Sequence, residues 1–207
     1  MAVLSTAYNP ASITSVSKMG MNSSDNPNPN TQIYIQITTN TSDGATYFLR
    51  YSTTSSFTTS TLVAFNMNGR SGYATIPAQT VGTTIYYNVF SSNQAQGVIT
   101  SAVGTYGSVA YDMLALSKND NNGNNYQFTV ATPSPLTGTY TINNSLATGG
   151  TNFNSFYDAF SSLNVNGVGS GGATFNVVPG FTETNSNLTL FTSGTSSNPI
   201  VFQKSGS

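Results

Sequence analysis

The stretch Ile33-Tyr34-Ile35-Gln36-Ile37-Thr38 decides the fold class. Three isoleucines alternate with three side chains that carry polar atoms. In an extended strand, successive side chains point to opposite faces, so the isoleucines share a core face and Tyr34, Gln36 and Thr38 share the other. The same period recurs downstream. Tyr47, Leu49 and Tyr51 alternate with Phe48 and Arg50, and Ile85, Tyr87 and Val89 alternate with Tyr86, Asn88 and Phe90. Tyr126, Phe128 and Val130 follow, and residues 62–65 and 73–76 are shorter runs. Asp43-Gly44, Asn68-Gly69 and Asn122-Gly123 separate these runs, and such pairs tolerate the positive φ of tight hairpin turns. By phase, Arg50 faces solvent. Strands at this spacing predict an all-β segment, an antiparallel β-sandwich over residues 1–131. Residues 93–124 are less regular, and residues 99–103 and 109–116 read as edge strands or as parts of a long insertion.

Composition sharpens this reading. The chain has 207 residues, with 12% aromatic and only 5% charged residues; an ordinary soluble domain carries about 25% charged residues. Ser, Thr and Asn supply the polarity instead. The 12 Tyr and 12 Phe, set in alternating runs, argue for packed sheet over disorder, because disordered chains are poor in aromatics. There is no His, Cys or Trp. That removes Ser-His-Asp and Cys-His catalysis, disulfides, and metal sites of the usual nitrogen and sulfur kind. A net charge of -1 with five Lys and Arg cannot neutralise a phosphate backbone, so nucleic acid is excluded as a partner. No apolar run approaches the roughly 18 residues of a membrane span. Met1-Ala2-Val3-Leu4 leads into polar chain without the apolar stretch of a secretion signal. No cofactor is implied.

Residues 132–138, with Pro133, Pro135 and Gly138, read as a linker. Beyond it, over residues 139–207, the pattern changes. Gly138-Thr139-Tyr140-Thr141-Ile142 reads as a strand. Phe153, Phe156, Ala159, Phe160 and Leu163 then fall on one helical face, with Asn152 or Asn154 as N-cap and Asn166-Gly167 as the stop. Strands follow at residues 173–178, 188–190 and 199–202. The final stretch reads as an interruption inside a repeating architecture.

The order strand, amphipathic helix, Gly-rich turn, strand, Pro179-Gly180-Phe181-Thr182-Glu183, strand, Gly194 to Pro199-Ile200 resembles the N-terminal cap and first coils of right-handed parallel β-helix proteins. Upstream, the runs around Tyr47–Tyr51, Tyr73–Val89 and Asn119–Val130 resemble fibronectin-III/Ig-like modules. Such modules precede β-helix segments in large surface proteins of Bacteroidetes-type bacteria. The resemblance implies export, display at the cell surface, and an adhesin-type role without catalysis in this segment. It also implies alternatives: a carbohydrate-binding module, or the N-terminal part of a β-helix enzyme acting on polysaccharide.

Candidate site residues are few. Glu183 is the sole glutamate, and general acid/base work would need a second carboxylate about 5–9 Å away. Asp158 is its nearest acid in sequence, and the favoured role of Glu183 is to cap or pair at the first coil's turn. Sugar rings stack on aromatic faces, so the carbohydrate reading rests on Tyr47, Tyr51, Tyr86 and Tyr87. Asn124, Asn125 and Tyr126 join them, because this ending resembles that of some starch-binding modules. Asp120 and Asn122 sit in a loop with a calcium-like composition, although one carboxylate is a poor ligand set; an Asn-Gly hairpin turn is the favoured reading. The expected partners are extracellular polysaccharide or another surface protein, and a second copy through residues 188–204, where Ile200 and Phe202 would lie on an open strand edge.

Overall fold

The computed structural model describes residues 10–206, so Met1-Ala2-Val3-Leu4 lies outside the described residues. The chain divides into two compact units. One gathers the described residues up to Ser17, Tyr34–Ile76 and Thr84–Gln127; the other gathers Lys18–Ile33, Pro77–Thr83 and the chain from Phe128 onward. Strands dominate both. No helix among the described residues is long and apolar enough to cross a membrane.

The first unit is built on two sheets. One has the order β1-β2-β6-β5, with β1 at Ile13–Lys18, β2 at Ile33–Thr39, β5 at Asn66–Asn68 and β6 at Ser71–Ile76. The other has the order β4-β3-β7-β8, with β3 at Thr46–Ser52, β4 at Thr61–Ala64, β7 at Thr84–Ser92 and β8 at Ser117–Asn119. β9, at Tyr126–Thr129, also pairs with β7. The pairs β3–β4, β3–β7, β5–β6 and β7–β8 are antiparallel. The isoleucine alternation works as expected: Ile33, Ile35 and Ile37 are fully buried and Tyr34, Gln36 and Thr38 are not. Asn68-Gly69 makes the β5–β6 turn with Gly69 at φ 61. In the same hairpin Gly72 faces Met67, whose sulfur occupies the space a Cβ at that position would need.

Three expectations fail in this unit, and one open alternative is decided. Residues 99–103 and 109–116 form no edge strand; helix α1 runs Gln96–Tyr106 and α2 runs Val109–Leu114. Ile99 and Tyr111 from these helices cluster with Phe48 and Phe90, so β3 and β7 are covered on both faces. Arg50 is therefore 7% exposed rather than solvent-facing. Asp43-Gly44 joins β2 to β3, which lie in different sheets, and is no hairpin. Asn122-Gly123 is no hairpin either, since β8 and β9 both pair with β7.

The second unit carries a parallel sheet of order β11-β10-β12-β13. Its strands are β10 at Leu136–Ile142, β11 at Asn152–Phe153, β12 at Val168–Val177 and β13 at Ile200–Lys204. The β10–β12 register shifts between Leu136 and Gly138 and is regular from there: Tyr140 pairs with Phe175 and Phe175 with Phe202, while Thr141 pairs with Asn176 and Asn176 with Gln203. In-register parallel pairing stacks like on like, and the rings of Tyr140, Phe175 and Phe202 form a column with centroid steps of 5.3 and 4.7 Å. Helix α3 runs Phe156–Asn166 and packs Ala159 and Leu163 onto the same core. Its N-cap is Ser155, whose hydroxyl accepts from the Asp158 N–H, and not Asn152 or Asn154. Residues 188–190 are irregular rather than a strand. Segment Lys18–Ile33 straps this unit: the Asn164 amide donates to the Gly20 carbonyl at 2.7 Å, and the Tyr157 hydroxyl donates to the Met21 carbonyl at 2.9 Å.

Candidate functional site

The six carboxylates are engaged inside the fold. Glu183 Oε2 accepts the Phe156 N–H at 2.7 Å, at the first turn of α3. Its Oε1 accepts the Thr184 and Asn185 N–H groups at 2.9 and 2.8 Å and the Asn185 amide at 2.9 Å. Burial pushes this carboxyl up, and these hydrogen bonds outweigh it and hold the group below the usual range. Asp158 lies in the first turn of α3 and accepts the Thr148 hydroxyl. Asp25 accepts the Asn22 N–H and the Ser161 hydroxyl. Asp43 takes the N–H groups of Ala11 and Ala45 and the Tyr47 hydroxyl. Lys118 bridges the last two, Asp112 at 2.9 Å and Asp120 at 3.1 Å.

The Asp120 loop owes its shape to internal bonding. Asp120 Oδ1 accepts the Gly123 N–H and its carbonyl accepts the Asn125 N–H at 2.7 Å. Asn121, Asn122 and Asn125 take positive φ, which asparagine tolerates better than most residues. Partial burial pushes the Asp120 carboxyl up, and the Gly123 N–H and the Lys118 ammonium overcome this and lower it. The carboxylate offered as a calcium ligand thus already faces a cation. Among the described residues no group of three or more Asp and Glu is placed to hold a metal ion.

Two of the expected platform tyrosines are buried. Tyr47 binds Asp43 through its hydroxyl at 2.9 Å. Tyr87 stacks on Tyr126 at 5.3 Å, and burial pushes its hydroxyl well above the ordinary range. Tyr51, opposite Tyr87 in register, and Tyr86 on the other face are half-buried. Tyr126 is half-buried and donates to Asn119 at 2.8 Å. Asn125 accepts from the Asn88 amide at 2.9 Å, and Asn124 is exposed. The structure brings Tyr87, Tyr126 and Asn125 together around β7, with no ring of that group lying open.

Two tyrosines outside the expected set are exposed, Tyr106 on α1 and Tyr73 on a strand. Tyr73 stands on β6 at 40% exposure, edge-on to Tyr34 of β2, with centroids 5.9 Å apart and planes at 64°. The signal was present in the opening stretch: isoleucines at 33, 35 and 37 oblige Tyr34 to stand on the outer face.

Arg50 forms a second unanticipated cluster. Its guanidinium lies 3.8 Å from the Tyr111 ring centroid and 4.6 Å from that of Phe57, and donates to the Ser60 hydroxyl and the Phe57 carbonyl. Burial lowers its pKa, and Tyr111 and Asp112 offset part of that.

In the second unit, β13 stands at the end of its sheet order. Beside it Phe156, Phe181 and Phe202 line an open cleft of about 400 Å³, rimmed by Gln203 and Lys204. No protein-family model matches the chain, and no curated protein matches it significantly.

Proposed function

We propose that this chain is a non-catalytic segment of a secreted or cell-surface bacterial protein of adhesin type. In this reading an Ig/fibronectin-III-like sandwich is followed by the capped start of a right-handed parallel β-helix. The observation that carries it is the use of the carboxylates: each of the six serves a turn, a cap or an ion pair, Glu183 included. A carboxylate held ionised by four hydrogen bonds is a poor proton donor. The β-helix part is supported by the in-register column Tyr140, Phe175, Phe202 and by α3 closing against it. The partner in this reading is extracellular polysaccharide or another surface protein. The position of β13 at a sheet end, with Leu188 and Phe191 about two-fifths exposed nearby in sequence, supports association with a second copy through residues 188–204.

The test is turnover. The full chain is incubated with a panel of neutral and acidic polysaccharides, and new reducing ends and unsaturated products are measured. The expected result is none. Product release that disappears in Glu183→Gln would overturn this reading in favour of a polysaccharide-cleaving enzyme.

A further inference from the structure

We propose that the outer face of the β1-β2-β6-β5 sheet binds a neutral polysaccharide chain, with Tyr73 as its stacking platform. The inference rests on the surface-protein reading in one respect only, that an exported protein meets such polymers.

Tyr73 is both exposed and fixed. Its ring is held edge-on by Tyr34, and its hydroxyl accepts the Asn66 amide at 3.4 Å from the opposite residue of β5. A ring already held in one orientation loses little freedom when a ligand settles on it. Around it the face is amide and hydroxyl. Alternation places Gln36 and Thr38 on the outer side of β2 with Tyr34, and the Thr38 and Ser71 hydroxyls lie 3.3 Å apart. Asn66 and Asn68 are exposed on β5.

The chemistry of this face selects the ligand class. β2, β5 and β6 contain no Asp, Glu, Lys or Arg. Arg70, in the β5–β6 turn, donates to the Asn40 carbonyl at 3.3 Å. On β1 the one charged residue, Lys18, is 6% exposed and donates to the Ser23 and Asp25 carbonyls, so the strands of this sheet present no open cation and the desolvation of carboxylate or sulfate goes largely uncompensated; acidic polymers and nucleic acid fit the face poorly. A protein interface draws its energy from several desolvated apolar anchors, and this face offers one tyrosine pair among hydroxyls. A pyranose matches both features. Its C–H face is apolar and lies against an aromatic ring, while its rim of hydroxyls exchanges hydrogen bonds with amides and hydroxyls.

The experiment is native affinity electrophoresis of the full chain. The gels contain glycogen, dextran, mixed-linkage β-glucan or galactomannan, with polygalacturonate as the acidic comparison. Retardation by at least one neutral polymer is expected. Tyr73→Ala is expected to weaken it about ten-fold, the equivalent of losing about 1.4 kcal/mol. Asn66→Ala, at an exposed position, should weaken it measurably without touching the core. Tyr106→Ala removes a tyrosine that is 65% exposed on α1 and should leave binding unchanged. Circular dichroism of each variant reports folding. No retardation by any neutral polymer, retardation confined to polygalacturonate, or equal binding by wild type and the Tyr73 and Asn66 variants overturns the proposal. Reducing ends are measured on the same mixtures. Their release would sink the non-catalytic reading and leave the binding face standing, whereas absent binding with absent turnover sinks only the face.

Discussion

Replacing Glu183 by Gln tests the structural use of the one glutamate with the smallest possible change in shape. The carboxylate accepts four hydrogen bonds, one of them from the first N–H of α3. The substituted amide keeps a single carbonyl oxygen, so at least one of the N–H groups now meets an NH2. A hydrogen bond to a charged acceptor contributes about 1.5–3 kcal/mol, and a negative charge at a helix N-terminus about 0.3–1 kcal/mol. The group stays partly in water, so the lower end applies, and the expected loss is about 1.5 kcal/mol. For a chain of this length that corresponds to a fall in Tm of roughly 3–6 °C near neutral pH. The folded carboxyl lies below its ordinary value, so its contribution is complete above the unfolded pKa of about 4.3 and is lost as pH falls through the folded value. Below that point the wild-type group is a neutral acid, and the two melting curves should converge. Differential scanning calorimetry across pH 7 to about pH 2.5 reads both effects. Equal Tm values at pH 7, or a gap that persists unchanged in acid, would refute the assignment of Glu183 as an ionised cap.

Two further outcomes follow from the geometry. Arg50→Lys substitutes a compact ammonium for a planar group stacked between Tyr111 and Phe57, and should lower the urea unfolding free energy by about 1–2 kcal/mol; an unchanged midpoint refutes the sandwich. In sedimentation velocity the wild-type chain should gain mass as concentration rises, and Leu188→Asp with Phe191→Asp should reduce this; a monomer at every concentration refutes association through residues 188–204.

The β framework was legible because alternation and turn chemistry agreed. Ile33, Ile35 and Ile37 reach the core face, and Asn68-Gly69 turns its hairpin as their chemistry dictates. What stayed illegible was the second cover over β3 and β7. α1 contains Gly97 and Gly104 with Val98, Ile99, Thr100, Val103 and Thr105, residues of modest or poor helix propensity, and neither α1 nor α2 has a side-chain N-cap bond. Such a segment is helical because Ile99 and Tyr111 gain burial against Phe48 and Phe90, a tertiary effect that no local window contains. That cover reverses the environment of Arg50. It buries Tyr47-Phe48-Leu49-Arg50 as a continuous run, which defeats a one-face-in, one-face-out reading. Of the tyrosines expected as platforms, Tyr47 and Tyr87 are buried with β3 and β7, and Tyr51, Tyr86 and Tyr126 are half-buried, whereas Tyr73 on β6, outside that set, is 40% exposed.

The distribution of charge bears on how the proposed partner would be met. Lys18 donates to the Ser23 and Asp25 carbonyls and lies near the Phe128 ring, and burial lowers its pKa. Arg50 is enclosed and the Lys118 pairs bring both signs together; Arg70 and Lys204 are exposed, and the net charge of the chain is -1. Long-range steering therefore contributes little to encounter, and association rates should sit with those of neutral pairs. Recognition then depends on short-range terms: a fixed ring, a row of amides and hydroxyls, a strand end with its aromatic column. All three act only after contact. A partner that presents the same motif many times over, as a polysaccharide chain or an array of identical copies does, compensates for weak single contacts through effective concentration. In the proposed reading, low ionisation and a repetitive partner go together, and the amide- and hydroxyl-rich surface around Tyr73 is where they would meet.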